Sequence, residues 1–382
     1  MKTEQKSVLA YLPHHVKSYG IGYAAHSIAM RMNSNSLVSD LLSVKSDFAR
    51  LDRHVKEAYS INWLYKLAVR TRDEHHLIKK SEHKLRKISD KYAVLHLWPG
   101  SSLETVKHIK NNGAKLIIEN INCHHKTSIS ILNEEYKRIG LDDSYNIPES
   151  KLIAENAILD YADFVFSPSP QVTNSLAGAG ISHEKILSTS YGLDTDDLIS
   201  TARIASKGHN DFTALFVGSV IPRKGVHLLL EYWQASKIKG KLKIIGKVDS
   251  VMKPILAKYE ADPSVEFISF TNDLNFHYST ADVFLMPSLE EGSPLVTYLA
   301  IGAGLPCLVS PMAGDGIIRE NIEGYIIEPH NKLGWIDKLQ TIYEDRQLRM
   351  NFALASRQRA EEFLWNNVAT KRAQQILTKV IS

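Results

Sequence analysis

Residues 287–300 read Pro287-Ser288-Leu289-Glu290-Glu291-Gly292-Ser293-Pro294-Leu295-Val296-Thr297-Tyr298-Leu299-Ala300. A mostly apolar run, Ala281–Met286, leads into them, and Pro294 opens a segment of helical pattern, Leu295–Ala303. The order is strand, tight turn and helix N-terminus, with an acid at the turn. Proline suits the first position of a helix, and the first N–H groups of a helix are the ones that hold an anion. A carboxylate at the same turn can accept hydrogen bonds from sugar hydroxyls. The stretch therefore reads as a ligand site on an α/β unit, with Glu291 as its acid and Gly292, Ser293, Pro294, Leu295 and Val296 as its wall.

Outward from this stretch, short apolar runs alternate with helical patterns along the chain, which indicates α/β units around parallel sheets. In the second half strands are expected at Thr213–Val217, Lys241–Ile245, Val265–Ile268, Val283–Met286, Cys307–Ser310 and Gly324–Ile327. In the first half they are expected at Ser7–Leu12, Val94–Leu97, Lys115–Glu119 and Asp163–Ser167. Helices are expected over Tyr23–Met32, Ser102–Asn112 and Glu149–Tyr161, and the chain closes on helical pattern from Gln347 to Thr378. Gly192 to Asp211 is polar and lacks apolar periodicity, with Asp194, Asp196, Asp197, Lys207, Gly208 and Asn210, so the domain boundary is placed there.

A second turn carries chemistry. Leu215-Phe216-Val217-Gly218-Ser219-Val220-Ile221-Pro222-Arg223-Lys224-Gly225-Val226 takes a strand through Gly218 and Ser219 to two adjacent cations and into a helix at His227–Trp233. Arg223 and Lys224 suit a diphosphate, whose charge grows as it leaves. The plainer reading is an exposed basic turn before a helix. Near the start, Ser18-Tyr19-Gly20-Ile21-Gly22-Tyr23 joins the first strand to the first helix, and Gly20 and Gly22 permit close backbone approach to a phosphate or an acceptor, with Tyr23 beside them. Position 25 is Ala, and no acid follows at the spacing of a dinucleotide fingerprint, so no nicotinamide cofactor is expected.

Size and composition set the class. A chain of 382 residues, 44% hydrophobic and 23% charged, suffices for two globular domains. No apolar run has the length of a membrane span, and Val8–Leu12 is too short for a signal-peptide core. The two cysteines, Cys123 and Cys307, give neither a disulfide framework nor a metal spacing. A cytoplasmic, reduced protein is the expectation. The net charge of +4 is uneven: from Arg50 to Lys91 there are twelve Lys/Arg against six Asp/Glu. There Lys79, Lys80, Lys84, Arg86, Lys87 and Lys91 alternate with Leu77, Ile78, Leu85 and Ile88 after Tyr59, Trp63 and Tyr65. Residues 50–91 read either as a peripheral contact with an anionic membrane face or as a solvated cover on the first domain.

These motifs together resemble the family-4 retaining glycosyltransferases, whose signature is Glu-x7-Glu in a string similar to residues 291–306. This chain keeps Glu291 and the pattern through Gly304-Leu305-Pro306, but the position of the second Glu holds Leu299. Glu290 and Tyr298 are the neighbouring polar residues able to replace that acceptor. The Gly-Ser turn before Lys224-Gly225 is similar to the family's, and Arg223 replaces the cation that many members carry after the glycine. Ile117-Ile118-Glu119-Asn120-Ile121-Asn122-Cys123-His124-His125 resembles a Glu-x4-His segment of one branch, which also has a Glu-Glu-Tyr found here as Glu134-Glu135-Tyr136. Softer matches are Tyr191-Gly192-Leu193-Asp194, Ala313-Gly314-Asp315-Gly316, Glu323–Pro329 and Trp365.

The resemblance implies a GT-B fold, two doubly wound Rossmann-like domains facing across a cleft: 1–195 on the acceptor side, 196–365 for the nucleotide sugar, and a terminal helix, 366–382, crossing back. It implies donor binding by Gly218, Ser219, Arg223, Lys224, Glu291, Gly292, Ser293, Pro294, Leu295 and Val296. Among these, Glu291, with Arg223, Lys224 and His124, would carry the chemistry. Glu291 would meet the donor sugar, Arg223 and Lys224 the diphosphate, and His124 the cleft side of the sugar. The expected reaction moves a hexose from a nucleotide diphosphate sugar to a glycan or lipid-linked acceptor in surface-polysaccharide assembly. The co-substrate apart, no cofactor is expected, and no nucleic-acid partner. Asp194-Thr195-Asp196 lies at the domain boundary rather than at a donor-site strand end, so no metal is expected either. The competing reading, raised by Leu299, is a catalytically degenerate GT-B subunit that binds glycan or serves as a scaffold.

Overall fold

The computed structural model describes residues 6–71, 74–141, 147–205 and 211–381. Lys207, Gly208 and Asn210 of the boundary segment, Arg72 of the basic segment and Ser382 of the terminal helix lie outside them.

The first sheet has seven strands, all parallel: β1 (Lys6–Val16), β2 (Leu37–Ser46), β3 (Val55–Glu57), β4 (Val94–Leu97), β5 (Lys115–Glu119), β6 (Phe164–Ser167) and β7 (Ile186–Ser188), in the order β3-β2-β1-β4-β5-β6-β7. Its helices are α1 (Gly20–Arg31), α2 (Asn62–Thr71), α3 (Glu74–Ile88), α4 (Leu103–Asn111), α5 (His125–Arg138), α6 (Glu149–Tyr161) and α7 (Pro170–Gly178). After the short α8 (Thr201–Ala205), the second sheet is built from β8 (Phe212–Val217), β9 (Gly240–Ile245), β10 (Val265–Ile268), β11 (Val283–Met286), β12 (Cys307–Val309) and β13 (Gly324–Ile326). These run in the order β10-β9-β8-β11-β12-β13, again all parallel. Its helices are α9 (Val226–Ser236), α10 (Lys253–Leu256), α11 (Leu274–Thr280), α12 (Leu295–Gly302), α13 (Pro311–Gly314), α14 (Lys332–Glu344), α15 (Arg346–Ala360) and α16 (Trp365–Gln375).

Each sheet starts in its middle and winds both ways, reversing between β1 and β4 in one and between β8 and β11 in the other. This is the two-domain α/β GT-B architecture. Every second-half strand read from the sequence is present within a residue or two; the central β8, β11 and β12 are buried on both faces, and the edge strand β10 was legible from its apolar residues although it is only partly covered. Three first-half strands escaped the reading. β2 carries buried Ser39, Asp40 and Ser43, which interrupt its apolar pattern, while β3 and β7 have only three residues each. Asp40 is tolerated because His54, Lys56 and Tyr92 all reach its carboxylate.

The chain leaves the first sheet at Ser188 and enters the second at Phe212. Along this path Leu193 N–H donates to Phe363 O at 3.1 Å and Trp365 N–H to Leu193 O at 3.1 Å. The outgoing and returning chains thus lie side by side. α16 then packs on α1, with Trp365 edge-on to Tyr23 at 6.4 Å between ring centroids.

Candidate functional site

The two turns singled out in the sequence follow β8 and β11, the pair at which the second sheet reverses, where open α/β sheets bind ligands. They touch. Gly225 adopts φ +66°, and a Cβ built on it would run into the carbonyl oxygen of Pro287. Only glycine lets the Arg223-Lys224 turn approach the Pro287–Glu291 turn this closely. Leu289 N–H then donates to Arg223 O at 2.9 Å. Two ion pairs follow, Arg223 Nη1 with Glu290 Oε2 at 2.9 Å and Lys224 Nζ with Glu291 Oε1. Glu291 also accepts from Ser288 Oγ at 3.1 Å. Both carboxylates are buried. No side chain caps the N-terminus of α12, which starts at Leu295 beside them. Ser293 is turned inward, its Oγ 2.8 Å from Tyr298 Oη.

The first domain closes on this clamp. A Cβ at Gly292 would collide with the carbonyl oxygen of Ile121, so the loop after β5 sits directly on the acid turn. Cys123 N–H donates to Glu290 Oε1 at 3.1 Å, and Cys123 Sγ–H to Glu291 O at 3.4 Å. Burial, with the Glu290 carboxylate next, pushes the Cys123 thiol up to about 12. His124 does not face the cleft. Its Nδ1 caps α5 by accepting from Lys126 N–H at 3.2 Å, and its Nε2 lies 2.9 Å from Asn156 Oδ1 on α6. The orphan N–H groups at the start of α5 need an acceptor, and His124 is the residue at that position. Its neighbour His125 takes the exposed side, with Nδ1 at 2.7 Å from Glu155 Oε2, and that carboxylate raises the imidazole above its ordinary value. His125 and Glu155 line a largely apolar cavity of about 730 Å³ that also reaches Ile221, Arg223 and Glu290.

Gly20–Tyr23 form the first turn of α1, at the reversal of the first sheet. Gly20 has φ +66°, and Gly22 packs on the backbone of Val16 and Lys17. Tyr23 is braced rather than offered to a ligand: its hydroxyl donates to Asp194, which Arg31 also holds at 2.7 Å. Asp194 is thereby tied to α1. Among the described residues no group of three or more His, Cys, Asp or Glu is placed to hold a metal ion.

With this geometry in place, comparison with known proteins is informative. Residues 201–359 match the model for glycosyl transferases group 1. This segment is a glycosyltransferase group 1 domain. An uncharacterised glycosyltransferase of Haemophilus influenzae is 29% identical over 159 residues, 40% of this chain and 45% of that protein. The UDP-Gal:alpha-D-GlcNAc-diphosphoundecaprenol alpha-1,3-galactosyltransferase of Escherichia coli is 26% identical over 160 residues, 39% of this chain and 41% of that protein. The chain thus spans less than half the length of these two relatives. In fold the likeness extends over nearly the whole chain: the sucrose-phosphate synthase of Thermosynechococcus elongatus superposes with a TM-score of 0.72 at 17% identity, over 98% of both chains.

The group 1 domain contains both turns of the clamp and the helix that carries Leu299. The Leu299 side chain is half-buried and lines a hollow of about 430 Å³ with Asp196, Asp197, Leu198, Phe276 and Tyr278. Neither Glu290 nor Tyr298 is among the residues that line this hollow. Glu290 is held by Arg223 and Cys123, and Tyr298 is wholly buried, its hydroxyl taking Tyr191 N–H at 3.2 Å.

Two polar clusters join the group 1 domain and its terminal helix to the first domain, centred on Glu119 and Glu135, which the sequence showed only as motif residues without partners. Glu119, at the end of β5, accepts from Arg372 Nη1 at 2.7 Å and Nη2 at 3.0 Å, from Tyr191 Oη at 2.9 Å, and lies 2.8 Å from His96 Nε2. Burial alone would raise this carboxyl, but Arg372 and His96 hold it down to about 2. Glu135 on α5 meets His227 Nε2 at 2.6 Å and His330 Nε2 at 3.1 Å, and against its own burial these hold it to about 2. One signal existed for the first cluster: Arg372 falls on the buried stripe of α16, between Val368, Ala369 and Ala373.

Proposed function

We propose that the protein is a retaining glycosyltransferase that moves a hexose from a nucleotide diphosphate sugar to a glycan or lipid-linked acceptor in surface-polysaccharide assembly. The observation that carries this is the clamp of Arg223 and Lys224 on Glu290 and Glu291 beside the N-terminus of α12. Two cations, two carboxylates and a helix N-terminus are what a sugar joined to a diphosphate requires. On donor binding, Arg223 and Lys224 turn from carboxylate to diphosphate oxygens and neutralise the charge that gathers on the leaving group. Glu291 is then released to accept from the sugar hydroxyls. The Gly218-Ser219 turn lies against the diphosphate, with the backbone of Leu295 and Val296 opposite. With two cations in this role the reaction needs no metal.

A screen of nucleotide diphosphate sugars for binding, hydrolysis and transfer tests the reading, with EDTA in a parallel arm. Turnover of one donor at an unchanged rate in EDTA is the expected result. A strict Mg²⁺ or Mn²⁺ requirement would remove the two cations from this role, and no binding of any donor would sink the transferase reading. Leu299 and the internally paired clamp favour one alternative, a GT-B subunit that binds glycan without turning it over. Donor-independent glycan binding without transfer would establish it.

The membrane contact proposed for residues 50–91 falls on α2 rather than α3. The apolar face of α3 is spent on the first domain through buried Leu77 and Leu85, and Lys80 stacks on Tyr59 at 3.9 Å. α2 instead exposes Trp63, Leu67 and Val69 beside Lys66 and Arg70. Sedimentation with anionic but not zwitterionic vesicles, lost in Trp63→Ala, is the expected outcome.

A further inference from the structure

The cavity of about 730 Å³ outside the carboxyl ends of β4 and β5 is larger than the clamp requires and of a different chemistry. Ile118, Ile121, Leu132, Ile158 and Leu159, from β5, its loop, α5 and α6, supply an apolar lining. Its volume is that of a small-molecule site, typically about 300–1,000 Å³. Water gains little along this apolar wall, because it finds few partners there. On the other side the lining is polar, with Asn120, Asn122, His125, Lys151 and Glu155, and with Arg223 and Glu290, one ion pair of the candidate donor site. The cavity therefore shares a wall with the place where the sugar would be transferred. A further polar group, Ser101 Oγ, is shielded from solvent and has no hydrogen-bond partner among the described residues.

We propose that this cavity receives the apolar group of the acceptor. The acceptor class is then an amphiphile: a hydroxylated sugar joined to a hydrocarbon or aromatic group, with the apolar part among Ile118, Leu132 and Ile158 and the accepting hydroxyl beside Arg223 and Glu290. Ser101 Oγ supplies a hydrogen bond to a ligand oxygen. The proposal rests on the transferase reading. It narrows that reading, because a wholly polar glycan would leave the apolar lining unused.

The test uses the full chain and n-alkyl glucosides with methyl, butyl, hexyl and octyl groups, titrated calorimetrically below their micelle concentrations and without nucleotide. Affinity should tighten with chain length, by up to roughly fourfold per buried methylene. Ala154→Trp and Ile158→Phe, which fill the cavity from α6, should abolish that dependence while a melt shows the fold retained. Equal affinity across the series in the wild-type protein would overturn the proposal, as would a dependence unchanged in both variants. The transferase reading is checked separately by nucleotide-sugar titration. Donor binding without chain-length dependence overturns the acceptor proposal alone. Chain-length dependence with no donor binding at all overturns the transferase reading and, with it, the acceptor role.

Discussion

At the scale of single residues, the clamp makes each partner answerable to the other. Glu291→Gln keeps the volume and loses the charge that binds Lys224 and, in the proposed role, meets the sugar. Transfer should fall about a hundredfold, the cost of a lost electrostatic contact in a water-poor site. Lys224→Ala should lose at least as much, and because it leaves the buried Glu291 without its cation it should also lower the melting temperature. Initial rates beside thermal melts check both, and full activity in either variant would remove the site from this turn. Gly292 tests the domain contact. Gly292→Ala pushes a methyl group into the Ile121 carbonyl, so the loop after β5 must withdraw, at a cost of about 1–3 kcal/mol. Denaturant melts should show the loss, with donor affinity weakened in parallel because Cys123 moves away from Glu290.

The element that decides between enzyme and degenerate copy is α12. A glutamate at the fifth residue of this helix would face the hollow that Leu299 now lines, and the surroundings there are unfavourable to it. Leu198, Phe276 and Tyr278 are apolar neighbours, and the like charges Asp196, Asp197 and Asp273 outnumber the one cation of the lining, Arg203. Burial already raises the Asp197 carboxyl above its ordinary value. Leu299→Glu should therefore lower stability by about 1–3 kcal/mol and leave nucleotide affinity unimproved. Calorimetric titration of nucleotide into both proteins, with a melt of each, measures it. A ten- to hundredfold gain in affinity, the worth of a charged acceptor of roughly 1.5–3 kcal/mol, would instead place the ribose at position 299.

At the scale of the whole molecule, two buried carboxylates of the first domain hold the rest of the chain in place. Arg372→Ala would take the guanidinium from the buried Glu119 and leave it only Tyr191 and His96, and should cost about 3–5 kcal/mol. Glu119 and Glu135 also set an acid limit. Each has its folded value held to about 2, below the ordinary carboxyl value of 4.5, so the stability each contributes is present above pH 4.5 and is lost as the pH falls toward 2. Burial lowers His96 below its ordinary value, so its charging on acidification works in the same direction. The melting temperature should decline through that window, and Glu135→Gln should make the decline shallower. An unchanged slope would mean that Glu135 does not tie the domains.

Much of the architecture was legible because parallel strands buried on both faces write themselves as apolar runs, and turns that close on glycine and proline punctuate them. Residues 213–327 carry that record nearly without interruption, and with it the two turns that meet at Gly225 and Pro287. The sequence alone also singled out Arg223, Lys224 and Glu291 by the chemistry that phosphate and sugar each demand, and the structure brings these residues together. Partnership was decided only by the tertiary structure. That His124 caps α5 while His125 faces the cavity follows from where one helix begins, and a shift of a single residue exchanges them. That Glu119 meets Arg372, 253 positions away, depends on the terminal helix returning to the first domain. Chain-distant polar contacts leave no period in the sequence, because each needs only one residue at one place once the backbone has brought the two together.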